Sequence, residues 1–324
     1  MTKQKNIAFI ELGGSHEEVL FPQIEILAGS GFNVSLIIRT SHFNRIKPIR
    51  QAKTVLCIND EKNFFQRAMN LRRVLNFIKT NNIHSIIINT AQGAFIRDLC
   101  FFLPHYLNLT GISHNPQKIG HSFTQKLISR KIKKYLVLND YILKNLPQLH
   151  GLSYSSFYPV FYPHKHQPKN DNTLRVAIPG AIDFNRRDYE EILNNPLSQV
   201  LNKNIQFIFL GRCKSEAARK YREAVETKFL KKQSRFFDEF IPEARFFSIL
   251  KTADIILPLI TPGIKNFQLY KKYKVSGSIN LAFGMKIPLL MHESLKSTED
   301  YQTAAIFYKE GQLFQKLNEI HANP

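Results

Sequence analysis

The strongest constraint on this chain is a rhythm. Short apolar runs rich in β-branched residues alternate with longer segments of helical period. In the first half the runs are NIAFIEL (6–12), NVSLIIR (33–39), KTVLCIN (53–59), SIIINTA (85–91), TGISHN (110–115) and KYLVLND (134–140). Runs that are apolar throughout, instead of alternating with polar residues, suit strands buried on both faces, and the helical segments between them supply the cover. EEVLFPQIEILAGSG ends at Gly31, NFFQRAMNLRRVLNFIKTNN carries apolar residues at 64, 65, 68, 71, 75 and 78, and AFIRDLCFFLPHYL follows the fourth run. The pattern predicts a parallel, doubly wound sheet.

LSYSSFYPVFYPHKHQPKNDNT (152–173) breaks the rhythm with prolines and a polar end, as a connection between domains does. Alternation resumes with LRVAIPGAI (174–182), a helix over 187–202, NIQFIFLGR (204–212), a helix over 214–232, RFFDEFI (235–241) and a short helix over 243–251. It continues with ADIILPLI (253–260), SGSINLAFGM (276–285), IPLLM (287–291) and a helix near 310–321. A chain of 324 residues is long enough for two cores. We therefore expect an α/β chain of two Rossmann-like domains facing a cleft: residues 1–155, a linker over 156–173, and residues 174–324. Ligands of such sheets sit beyond the carboxyl ends of the strands.

The net charge of +20 favours phosphate-rich partners: nucleic acid, anionic lipid or nucleotide. The excess is larger before residue 163 than after it. No nucleic-acid-binding motif is recognisable and the aromatic residues fall in core-like runs, so nucleic acid is not an expected partner. Cys57, Cys100 and Cys213 are widely spaced, which gives neither a disulfide framework nor a zinc site; reduced, buried thiols are expected. The opening MTKQKNIAFIELGGS has too short an apolar run for a secretory leader and reads as a first strand, so a cytoplasmic location is expected. No window approaches the ~18 apolar residues of a spanning helix, which leaves peripheral membrane contact.

ELGGSHEE (11–18) follows the first run. It lacks the third glycine of a dinucleotide turn, and the next run ends SLIIRTSHF with no acid, so a dinucleotide site is not expected. Ser15 and Glu18 match a capping box. Capping leaves Gly13, Gly14 and His16 unexplained. His16 is either a cleft-lining residue or a plain exposed first-turn histidine; at the cleft, the positive end of the helix favours a neutral, proton-accepting ring.

In the second half, KYKVSGSINLAFGMKIPLLM (272–291) opens a helix with Ser-Gly-Ser. That is either an ordinary serine cap or a place where backbone amides approach a diphosphate. AIPGAIDFNRRDYEEIL places Gly180 after the domain's first strand, with Arg186 and Arg187 ahead of its first helix, where a guanidinium can fork onto phosphate. FFDEFIPEARFFSIL puts Ile241 and Pro242 after a strand, where backbone groups can bracket a base. LPLITPGIKNFQLYKKYK reads as a basic loop whose lysines are individually best explained as solvated.

The order of these pieces, from the Gly-Gly-x-His loop through YPVFYP, VAIPGAIDFNRRDY, FIFLGR and EFIPEARFFSILKTADIILPL to SGSINLAFGMKIPLL, resembles GT-B-fold glycosyltransferases. The bacterial glycosyltransferase group 1-like clan of glycan and polysaccharide assembly is the most similar. The resemblance implies that Ser276, Gly277 and Ser278 contact the diphosphate of a nucleotide sugar, that Arg186 or Arg187 neutralises the leaving phosphate, and that the Ile241 backbone meets the base. Retaining members carry Glu-x7-Glu; Tyr273 and Leu281 stand at those positions here, so the chain inverts, uses other groups, or is inactive. No D-x-D triplet occurs, so no metal is expected, and helix dipole with arginines stabilises the departing diphosphate. No cofactor is expected beyond the donor as co-substrate. An inverting reaction needs one base, for which His16 is first, Glu17 second and His114, in GISHNP, third.

FTQKLISRKIKKYLVL interleaves Lys126, Arg130, Lys131, Lys133 and Lys134 with Leu127, Ile128 and Ile132. It reads either as a solvated charged helix face or as a surface for anionic lipid headgroups, which RIKPIRQAK (45–53) would extend, with a lipid-linked or saccharide acceptor arriving there. The rival readings are a sugar-nucleotide epimerase of the same fold and a catalytically degenerate partner protein.

Overall fold

A computed structural model describes residues 5–13, 16, 19–43, 51–61, 63–119, 121–160, 166–167, 171–195, 201–227 and 232–323. Gly14, Ser15, Glu17 and Glu18 lie outside the described residues, as do 44–50 and much of the proline-rich connection. The chain divides into two units, Met1–Phe161 and Tyr162–Pro324.

The first unit runs β1 (Asn6–Glu11), α1 (Leu20–Gly29), β2 (Asn33–Arg39), α2 (Thr40–Phe43), β3 (Ala52–Ile58), α3 (Phe64–Thr80), β4 (Ser85–Ile88), α4 (Ala94–Phe102), β5 (Asn108–Ile112), α5 (Phe123–Lys131), β6 (Lys134–Val137), α6 (Asp140–Lys144) and β7 (Ser153–Ser156). The strands form one sheet in the order β3-β2-β1-β4-β5-β6-β7, every pairing parallel. Strand order reverses between β1 and β4, and in an open sheet that switch point is where the carboxyl ends diverge and admit a ligand. Leu71, Val74 and Ile78 of α3, Phe95, Ile96 and Leu99 of α4, and Ile128 of α5 fill the core on one face. Leu20 and Ile24 of α1 pack the other.

The second unit runs β8 (Leu174–Pro179), α7 (Glu190–Leu193), β9 (Ile205–Arg212), α8 (Glu216–Val225), β10 (Ser234–Phe237), α9 (Glu243–Leu250), β11 (Ile255–Ile256), α10 (Phe267–Lys272), α11 (Gly277–Met285), β12 (Leu289–His292), α12 (Glu299–Gln302), β13 (Ala305–Tyr308) and α13 (Leu313–Ala322). Its sheet is parallel in the order β10-β9-β8-β11-β12-β13, with the switch point between β8 and β11. Phe207, Phe209, Tyr189, Tyr221 and Phe314 make an aromatic core.

Local chemistry accounts for the departures from the expected elements. SYSS, at the head of the proline-rich stretch, is strand β7 against β6; one tyrosine among three serines carries no hydrophobic alternation, although Tyr154 packs on the core with its ring 6.3 Å from that of Tyr135. The helix α1 begins at Leu20 with Val19 as its N-cap and no side-chain cap, later than a Ser15 cap requires, and Pro22 sits within its first turn, where a missing N–H costs nothing. Of the helix expected over 187–202, the described residues show the single turn α7 at Glu190–Leu193, with Asn194 as its C-cap; residues 196–200 lie outside the described residues. Cys57 is half-buried, whereas Cys100 and Cys213 are buried; all three are free thiols.

Candidate functional site

Residues from three strand ends meet at the switch point of the first sheet. Glu11, last residue of β1, is fully buried. Its Oε1 accepts the Gly13 N–H at 2.6 Å, and its Oε2 accepts Asn89 Nδ2 at 2.5 Å and the Thr90 hydroxyl at 2.8 Å. Asn89 and Thr90 follow β4 directly. A carboxylate taken out of water persists only when donors replace the lost hydration, and three converge on this one.

Asn89 is the hub of the arrangement. Its Nδ2 also donates to the His16 carbonyl at 2.9 Å, its Oδ1 accepts Gln23 Nε2 at 3.1 Å, and its own carbonyl lies 2.7 Å from His114 Nε2. A carbonyl only accepts, so His114 carries its proton on Nε2. The His16 and His114 rings stack with centroids 3.7 Å apart and planes 3° from parallel. Two of the three candidate bases, 98 residues apart in sequence, are thus brought together and held by one asparagine. The third, Glu17, lies outside the described residues.

A cavity of about 380 Å³ opens beside this cluster, lined by Gly13, His16, Thr90, Arg39, Glu61, Arg67 and the first turn of α4. Both arginines are held. Arg39 donates to the Leu12 carbonyl at 2.8 Å and pairs with Asp60 and Glu61, and Arg67 pairs with Asp98 at 2.5 Å. Gly93 caps α4 at φ 91° with no side-chain oxygen of its own. Gly13 has a packing reason to be glycine: a Cβ there would stand 2.8 Å from Glu11 Oε1 and from Thr90 Cβ. The sequence reading missed Glu11, Asn89 and Thr90. The signal for Glu11 was an acid closing an otherwise apolar strand.

In the second unit the expected phosphate residues separate. Arg187 is buried, 8% exposed, and its guanidinium turns back onto the carbonyls of Pro179 and Ala181. Of the two arginines expected near phosphate, Arg187 is thus engaged with backbone carbonyls. Arg186 stays at the surface, 3.5 Å from Asp183. Gly180 has φ 105°, and a Cβ there would lie 2.6 Å from Arg187 Nη2, so this glycine serves the turn and the guanidinium packed on it. Ile241 is buried ahead of α9. Ser276 is the N-cap of α11 without bonding its backbone; its hydroxyl meets that of Ser278 at 2.8 Å, and Gly277 has open space where a Cβ would stand. Within Ser-Gly-Ser, Gly277 is exposed and Ser278 is buried.

Beyond β8 and β11, Asp188 bonds Thr261 through its side chain and the Leu259 carbonyl through its N–H at 2.8 Å. Leu259 sits in the left-handed region at φ 54°, a strained geometry for a branched apolar residue. Burial, then Asp188 and Glu310, push the Glu191 carboxyl up to about 7. Burial lowers the His292 imidazole against the pull of Glu293, Glu310 and Asp188. Among the described residues no group of three or more His, Cys, Asp or Glu is arranged to hold a metal ion, and no helix is long and apolar enough to cross a membrane.

No protein-family model and no curated protein matches this chain. Solved structures do. The chain is similar to sucrose-phosphate synthase from Thermosynechococcus elongatus, at 14% identity over 99% of this chain and 90% of that one, with a TM-score of 0.63. It is similar to a glycosyltransferase from Rickettsia africae at 12% identity over 98% and 88%, TM-score 0.62. It is similar also to the UDP-GlcNAc 2-epimerase of Methanocaldococcus jannaschii at 12% identity over 99% and 93%, TM-score 0.57. At such identities the likeness establishes the fold: two Rossmann-like α/β domains of the GT-B type.

Proposed function

We propose that this chain is a glycosyltransferase that moves a sugar from a nucleotide-sugar donor to a saccharide or lipid-linked acceptor, without a metal ion, in surface polysaccharide assembly at the inner face of a membrane. The observation that carries the reading is the His16–His114 stack, clamped by Asn89, at the wall of a cavity in the switch point of the first sheet. His16 takes the proton from an acceptor hydroxyl. The freed oxygen attacks the anomeric carbon, the bond from that carbon to the diphosphate oxygen breaks, and the nucleoside diphosphate leaves with the electron pair. His114, fixed by its Nε2–H to the Asn89 carbonyl, holds the plane of the attacking ring.

The donor side belongs to the second unit. Ser276, Gly277 and Ser278 offer the amide end of α11 to the diphosphate, Arg186 supplies the exposed guanidinium, and the Ile241 backbone meets the base. Replacing His16 by alanine is expected to lower turnover by about 10²–10⁴-fold while leaving the unfolding midpoint and nucleoside-diphosphate binding unchanged. Calorimetry with UDP, GDP and ADP is the prior test, and a chain that binds none of them is not a transferase of this kind.

A sugar-nucleotide epimerase is the second reading, favoured by the acid cluster of Asp188, Glu191 and Glu310 and by the epimerase likeness. An epimerase exchanges a carbon-bound proton with solvent, so deuterium appearing in the nucleotide sugar without any acceptor would replace the transferase reading.

A further inference from the structure

The helix α3 has two finished faces where most helices have one. Its inner face, Leu71, Val74 and Ile78, is already packed into the core with α4 and α5. Its outer face opens with Phe64 and Phe65, each 77% exposed, and Met69, 61% exposed, and runs on into exposed Arg72, Arg73 and Lys79. Single exposed apolar side chains are ordinary, but three large ones within two turns of a helix whose core face is full mark a contact surface.

We infer that the first two turns of α3 dock the first unit onto an anionic phospholipid bilayer. Charge selects that occupant. From residue 62 to 139, the stretch that builds α3, α4 and α5, there are twelve Lys and Arg side chains and one acid, Asp98, which is already paired with Arg67. An aromatic wedge followed by arginines on one helix face is suited to the headgroup boundary, where rings sink into the acyl edge and guanidinium groups meet lipid phosphates. The wedge also stands where the proposed chemistry needs it. Arg67, on the same first turns of α3, lines the cavity beside His16, so a bilayer against Phe64 and Phe65 brings a lipid-carried acceptor to its rim.

The basic helix read from sequence does not compete for the role of wedge. Ile128 and Ile132 of the α5 region are buried in the core, and what α5 offers outward is the charge of Lys126 and Arg130 and, at its start, Phe123. Phe101, Phe102 and Tyr106 are as exposed as the wedge but lie at the C-terminal end of α4, the opposite edge of the sheet from the starts of α3 and α5. They are the internal control.

The placement of the wedge rests on the lipid-linked-acceptor reading, but its test needs neither donor nor acceptor. The full chain is sedimented with vesicles of phosphatidylcholine alone and of phosphatidylcholine with roughly a third phosphatidylglycerol. Binding is expected to the anionic vesicles only and to fall with salt. Phe64→Ser with Phe65→Ser should lower the partition coefficient about tenfold or more. Arg72→Gln with Arg73→Gln should lower it less and flatten the salt dependence, and Phe101→Ser with Phe102→Ser should leave it unchanged. Thermal unfolding checks that each variant folds. Equal binding to neutral vesicles, no binding at all, or loss in the Phe101/Phe102 variant instead of the Phe64/Phe65 variant overturns the inference. Transfer that needs His16 but occurs without vesicle binding refutes docking alone, and vesicle binding without transfer refutes the catalytic reading alone.

Discussion

Each of the two sheets buries a charge beneath the turn after its first strand, and the two charges have opposite sign. Under the turn after β1, the Glu11 carboxylate gathers donors: the Gly13 amide, Asn89 and Thr90. Under the turn after β8, the Arg187 guanidinium gathers acceptors, the carbonyls of Pro179 and Ala181. Each glycine of these turns is matched to its charge, since a Cβ on Gly13 would meet Glu11 and one on Gly180 would meet Arg187. The same fold thus surrounds a carboxyl with donors in one unit and a guanidinium with acceptors in the other.

Removing Arg187 should break the comparison most severely. Arg187→Met keeps much of the volume but takes the guanidinium donor from the buried Pro179 carbonyl, while the Ala181 carbonyl keeps the Tyr189 hydroxyl at 3.4 Å, and a cost of roughly 2–3 kcal/mol follows from the lost charged hydrogen bonds. Urea unfolding measures it, and a loss under about 1 kcal/mol would mean that the guanidinium only fills space. Gly180 would then tolerate a side chain sterically and still resist it through its φ of 105°.

Glu11→Gln is the milder perturbation of the other corner. It replaces one acceptor oxygen by an NH₂ facing groups that are themselves donors, for about 2 kcal/mol of stability. Because the same oxygen holds Asn89, which in turn holds His16 and His114, turnover should fall together with stability. A variant that loses stability yet keeps full turnover would separate the Glu11 cluster from the chemistry.

How far sequence reached into these corners follows from what each residue does. The parallel strands of both sheets were legible, because apolar runs between helical segments carry a local signal, and a histidine beside a glycine turn could be singled out without its partner being visible. Glu11 and Asn89 were not, since their roles exist only once β1 and β4 are neighbours 78 residues apart in sequence. The backbone contacts of Arg187 were not legible for a related reason. An arginine after a glycine turn looks the same in sequence whether it faces phosphate or folds back on its own strand. Strand β7 escaped because three of its four residues are serines, and the one side chain that packs on the core, Tyr154, makes no pattern by itself.

The smallest expected effect sharpens the contrast from within the second unit, in the acids near Glu191. Glu191 lies near Asp188 and Glu310, and burial with these two negative neighbours raises its carboxyl from 4.5 to about 7. The folded state therefore holds this proton more tightly than the unfolded chain does. The group costs nothing below pH 4.5, and its cost grows as pH rises through the window to about 7, where the folded carboxyl finally ionises. Glu191→Gln removes the ionisable oxygen, so the variant should gain stability at pH 8 relative to the parent and show little gain at pH 4. Partial exposure limits the difference to about 1 kcal/mol. For units of this size that corresponds to a rise of about 2–4 °C in the unfolding midpoint, read by thermal scans at the two pH values. An equal shift at both would mean that Glu191 acts through packing, not through the charge it shares with Asp188 and Glu310.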